Sequence, residues 1–114
     1  MTKKMIPDDQ WNEGTIAQFD DGSVRITRDT LSDPDTLVRV GQMLGAKGPQ
    51  AVEISFTQMG RPVWMSPGDV LLANLVQLNG LTFRVEQHGR VHPVDYYWEE
   101  VEWMEFASPL PSVT

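Results

Sequence analysis

Both histidines of the chain fall in one stretch, His88 to Phe106, "HGRVHPVDYYWEEVEWMEF", beside a crowd of aromatic and acidic side chains. His88, His92 and Asp95 stand at H-x3-H-x2-D. On a helix that spacing stacks ligands on one face and would suit a divalent metal. A histidine beside a carboxylate would suit general acid–base chemistry. Both readings depend on which element carries the residues. Gly89 and Pro93 interrupt any helix here, and the flanking residues alternate as strands do. A hairpin turning at His88-Gly89 pairs Val85 with His92, Phe83 with Val94 and Leu81 with Tyr96. His88 then sits in the turn, His92 points to the core side and Asp95 to the other. Ligands aimed in different directions close no site, so no metal and no catalytic residue is assigned. A core-side His92 needs a hydrogen-bond partner, and Glu100 and Tyr96 are the local candidates.

Other reaction chemistry is sparse. The chain has no cysteine, which removes disulfides, thiolate metal sites and cysteine nucleophiles together, and fits a reducing cytoplasm. There is no G-x-S-x-G elbow, Walker loop, G-x-G-x-x-G or H-E-x-x-H. The paired acids Asp8-Asp9, Asp20-Asp21 and Glu99-Glu100 are adjacent in sequence. Adjacent strand residues point to opposite faces, so adjacency makes no acid–base pair. No cofactor is implied. A net charge of −7, with nine basic residues scattered along the chain, argues against nucleic acid. No apolar run approaches the roughly 20 residues that cross a bilayer.

The segment from Tyr96 to Phe106 differs in kind. Tyr96, Tyr97, Trp98, Trp103 and Phe106 interleave with Glu99, Glu100, Glu102 and Glu105. As a strand it needs a bulge at Glu99-Glu100 to bring Val101 and Trp103 into line. As a helix it leaves Tyr96, Trp103 and Phe106 on the far side. Either arrangement puts aromatics on a second surface, and Tyr and Trp dominate interface energetics.

The elements that must position these residues follow from periodicity. "TIAQFDDGSVRIT" reads as a hairpin about Asp21-Gly22, with Phe19 facing Val24 and Ala17 facing Ile26. "SDPDTLVRVGQMLG" reads as a helix, capped by Ser32 and Asp35, striped by Leu37, Val40, Met43 and Leu44, and stopped at Gly45. "AVEISFTQMGRPVWM" alternates about a turn at Met59-Gly60. "SPGDVLLANLVQLNG" repeats the helix grammar through Ser66, Pro67 and Asp69, with a strand over its apolar run as the competing reading. Pro62 and Pro93, each beside a turn, suit strands at a sheet edge.

Together these predict a single α+β domain over 1–114, in the order ββαββαββ. An antiparallel sheet of about six strands, in three hairpins, packs two helices on one face, with 1–13 and 107–114 as flexible ends. The function expected is a non-enzymatic cytoplasmic binding module, a homodimer through its C-terminal segment. Its partner surface is drawn from Trp64, Tyr96, Tyr97, Trp98, Glu100, Trp103 and Phe106. One alternative is a protein binding a small cationic or aromatic ligand between sheet and helices, with Trp64, Trp98, Tyr96 and Met65 as lining and Arg61 or Glu100 for orientation. Another is a small hydrolase or isomerase using His92 and a carboxylate. The histidine geometry predicts that added zinc, nickel or manganese leaves the melting temperature unchanged; a dose-dependent rise would restore the metal site.

Overall fold

The computed structural model describes residues 16–31 and 33–108, so the expected flexible ends (save 107–108) and the Ser32 cap lie outside the described residues. Strands β1 (Ile16–Gln18) and β2 (Val24–Thr27) lead to a helical turn α1 (Arg28–Leu31) and a helix α2 (Pro34–Lys47). Then come β3 (Gln50–Phe56), β4 (Val70–Asn79), β5 (Thr82–Gln87), β6 (Arg90–Val91) and β7 (Tyr96–Tyr97). A 3-10 turn over Trp98–Glu100 precedes β8 (Val101–Phe106). The class is α+β and every strand pair is antiparallel, in the order β1-β2-β8-β3-β4-β5-β6, with β7 also on β5. The last strand is thus a central one.

One helix of length, not two, accompanies the sheet. Residues 66–79, read as a second helix, form a turn and then β4. The reason is local. The Asp69 N–H donates to the Ser66 carbonyl at 3.1 Å, with Gly68 at φ 86°, as Pro-Gly at the centre of a type II turn requires. A φ of that sign cannot continue a helix. The Ser66 N–H donates to Asp69 Oδ2 at 3.1 Å, so the acid that would have capped a helix braces the turn. The run "VLLANLVQLN" then pairs with both β3 and β5. Val76 is an extra residue in β4 between the pairs Leu75–Val85 and Gln77–Arg84, and this bulge lets Leu75 and Leu78 both reach the core.

Helix α2 runs as expected but is capped by Asp33, whose side chain accepts from the Asp35 N–H, and it ends at Gly48 rather than Gly45. Val40 and Met43 are buried, with Leu37 and Leu44 partly so. It crosses β3 and β4, with Gly41 passing over Leu78. The first hairpin has a longer loop than Asp21-Gly22 alone. The Phe19 N–H donates to the Ser23 carbonyl at 2.9 Å, and Gly22 takes φ 90°. The register therefore slips by one, and Ile16 rather than Ala17 lies opposite Ile26. Residues 57–69 are a chain of turns, not a return strand, so no hairpin forms about Met59-Gly60.

Inward side chains line up across the sheet in rows. Ile26, Met104, Ile54 and Leu71 form one row, all within 2 % of full burial. Burying a side chain of this size stabilises by about 1.5–3 kcal/mol. The bulge in β8 lies at Glu102, not at Glu99-Glu100. Ser55 pairs with Trp103 but Phe56 pairs with Val101, leaving Glu102 unpaired and exposed. Val101 and Met104 face the core as a result, and Trp103 lies with Arg25 and Ser55 on the opposite face.

Two glycines test this packing. A Cβ on Gly60 would meet Glu100 Cβ at 2.4 Å, Glu100 Cγ at 2.8 Å and Thr57 Oγ1 at 2.9 Å, whereas one on Gly45 would meet nothing within 4 Å. Gly60→Ala is expected to destabilise by about 1–3 kcal/mol in urea titrations. Gly45→Ala, at an exposed helical position, should stabilise by up to about 1 kcal/mol. Equal effects of the two substitutions would contradict the close approach at Gly60.

Candidate functional site

The hairpin around His88-Gly89 has the two-residue loop the sequence implies, with His88 at φ 55° and Gly89 at φ 81°. Gln87 pairs with Arg90, and the His92 N–H donates to the Val85 carbonyl at 2.8 Å. Beyond that point the register slips by two. Phe83 pairs with Tyr96, not Val94, because the chain leaves the ladder after His92, at Pro93, and rejoins β5 two residues out of step. Strands β6 and β7 are therefore two pieces of one interrupted edge, as the proline implied.

The slip brings Tyr96 under His92. Tyr96 Oη lies 2.7 Å from His92 Nδ1, and Gln87 Oε1 lies 3.3 Å from His92 Nε2. Gln87 is itself anchored, its Nε2 donating to the Leu72 carbonyl at 2.9 Å. The imidazole is thus held by a phenol and an amide rather than by a carboxylate. Asp95 is engaged elsewhere, accepting from Arg84 Nε at 2.7 Å. Among the described residues no group of three or more histidines and carboxylates could hold a metal.

Trp64 completes the arrangement from a separate loop. The Met65 N–H donates to the Pro62 carbonyl at 3.0 Å, closing a turn with Val63 and Trp64 at its tip. Met65 is buried and its carbonyl accepts from Arg61 Nε at 3.0 Å, so both ends of the turn are fixed. Trp64, 59 % exposed, presents its ring at 72° to His92, centroids 6.1 Å apart. Trp64, Gln87, His92, Pro93, Val94 and Tyr96 line an open cleft of about 380 Å³ whose lining carries no carboxylate, lysine or arginine. Tyr96 forms its floor and continues into the core, against Phe56 at 5.5 Å and Phe83 at 5.8 Å.

The other residues assigned to a partner surface are dispersed. Trp98 and Phe106 are core residues, Trp98 lying 4.3 Å from Phe83 with its indole N–H unbonded. Trp103 is on the opposite face, under the Arg25 guanidinium at 3.9 Å, while Arg25 Nε also meets Glu105 at 3.2 Å. Glu100 packs beside Gly60, and only Tyr97 is half exposed. A depression of about 650 Å³ on that opposite face carries Asp21, Glu53, Glu86 and Glu105. Asp21 is committed to Ser23 and Glu105 to Arg25. Of the aromatics singled out in the sequence, Trp64 and Tyr96 meet in one cleft. Sequence reasoning placed His92 on the core side but missed Gln87, since a glutamine flanking the His88-Gly89 loop carries no signal of its own. No helix among the described residues is long and apolar enough to cross a membrane. Neither protein-family profiles nor characterised proteins nor solved structures match this chain.

Burial raises the Tyr96 phenol above its ordinary range. As pH passes about 10 the unfolded phenol ionises first, while the folded one keeps its proton. Tyr96's contribution to stability is therefore complete below that pH and fades as pH climbs toward the folded value. Urea melts at about pH 9 and about pH 11 should show a larger stability loss in the wild type than in Tyr96→Phe. Identical losses would remove the buried phenol from the account.

Proposed function

We propose that this chain is a non-enzymatic binding module whose recognition element is the cleft between Trp64, His92 and Tyr96. The observation that carries the reading is Trp64 itself. A large aromatic ring is held at a turn fixed on both sides, more than half in water, across from a second ring. Exposing an indole forgoes about 1.5–3 kcal/mol of burial, and fixing it removes the freedom that would soften that cost. Pre-organised, exposed aromatics are what a binding site needs, since less side-chain entropy is lost on association. The neutral, carbon-rich lining favours a planar aromatic group over an anion. Absence of cysteine supports a cytoplasmic setting.

Self-association is the second reading, with its surface moved. The C-terminal segment gives a second copy little beyond Tyr97, because Trp98 and Phe106 are interior. Val63, Trp64 and Val94 are exposed around the cleft instead, and a partner copy covering them would bury a contiguous apolar rim.

The two readings separate in one experiment. A panel of aromatic compounds, followed by Trp fluorescence and thermal shift, should yield binders whose effect disappears in Trp64→Ala at unchanged secondary structure. Binders indifferent to Trp64→Ala would place recognition elsewhere. Light scattering on the same samples should show a monomer; a dimer dispersed by Trp64→Ala would transfer the cleft to the self-association reading.

A further inference from the structure

The hydrogen bonds at the cleft have a direction, and that direction names a ligand class; the inference rests on the cleft being the binding site. A backbone carbonyl can only accept, so the Gln87 amide nitrogen faces Leu72, at 2.9 Å. The amide oxygen must then be the atom turned to His92, at 3.3 Å from Nε2. Two acceptors do not face each other, so His92 Nε2 carries the proton. In the neutral imidazole Nδ1 is left with a lone pair, and the group 2.7 Å from it is the Tyr96 hydroxyl. Tyr96 therefore donates its only proton to His92. The whole chain runs one way, from Tyr96 to His92 to Gln87 to Leu72.

A hydroxyl that has donated its proton keeps only acceptor capacity. We infer that the cleft selects planar aromatic ligands bearing an O–H or N–H donor, seated against Trp64 with the donor on Tyr96 Oη, over isosteres whose donor is capped by a methyl group. The discrimination is of the strong kind, because a ligand without the donor covers a polar oxygen and leaves it unpaired. The aromatic wall alone would not discriminate, since every planar ring offers it the same face.

Phenol and anisole form the matched pair, one carrying the donor and the other its methyl cap. Titrated into the full chain and followed by the Trp64 indole N–H resonance, phenol should bind at least about tenfold more tightly than anisole. Tyr96→Phe should bring the two affinities together. Nitrogen-15 shifts of the unsubstituted protein should show His92 as the neutral form protonated at Nε2, a reading that needs no variant to fold. Equal binding of phenol and anisole, or protonation at Nδ1, would overturn the inference and leave the cleft reading standing. If neither compound moves the Trp64 resonance, the cleft reading fails and the inference with it.

Discussion

Strand β8 is the interaction on which the rest of the structure depends. It is the only strand that joins β1 and β2 to the sheet of β3 to β7 among the described residues. Its central row sets Met104 between Ile26 and Ile54, and its end sets Phe106 between Val24 and Val52. Without it two smaller sheets would each expose an edge of unpaired backbone. The arrangement has a cost in chain entropy, because β2 must wait for residues some eighty positions later before it gains its second partner. Such long-range pairing is characteristic of folds that assemble late and cooperatively.

The same strand settles the surplus of aromatic residues. A centrally placed strand has two faces to fill, so one set of side chains enters the core and the other lies on the reverse. Phe106 and Met104 take the core side; Trp103 takes the reverse and is roofed by Arg25, which also meets the nearly buried Glu105. The bulge at Glu102 is what makes this possible. In regular register Glu102 would stand opposite Phe56 and point into the core; removing one residue from the ladder puts Val101 there instead. Among the described residues one buried side-chain polar atom has no partner, the Trp98 indole N–H beside Phe83. Leaving such a donor buried costs about 1–3 kcal/mol, a cost the surrounding aromatic packing offsets.

How much of this is legible in the sequence depends on the range of the interaction. Local signals are reliable here: the alternation of β3, the stripe of α2, the two-residue loop at His88-Gly89, and the edge marked by Pro93. The inward direction of His92 also follows from short-range register, whereas its bond to Tyr96 needs the slip after Pro93. Ser66-Pro67-Gly68-Asp69 fails because its residues serve a helix start and a type II turn equally well. Only Gly68, free to take positive φ, favours the turn. The apolar run after it decides little, since Val70 and Leu72 lie on the exposed face of β4 and their apolar side chains hide its alternation. The central place of β8 is not legible at all. Nothing within residues 101–106 states which strands will flank them.

The cleft belongs between these extremes, and its origin is a defect in a strand. With unbroken register His92 and Tyr96 would lie about 13 Å apart along one strand, at about 3.3 Å per residue. Their side chains would stand roughly parallel, not touching. The chain leaves the ladder after His92, at Pro93, and returns two residues out of step with Tyr96 opposite Phe83. That slip contracts the distance until hydroxyl and imidazole meet at 2.7 Å. It also opens the space that Trp64 overlooks. Interruption of an edge strand is ordinarily explained as protection against pairing with other chains. Here the interruption that blunts the edge also builds the concavity beside it, so the position most closed to another strand is the one most open to a ring.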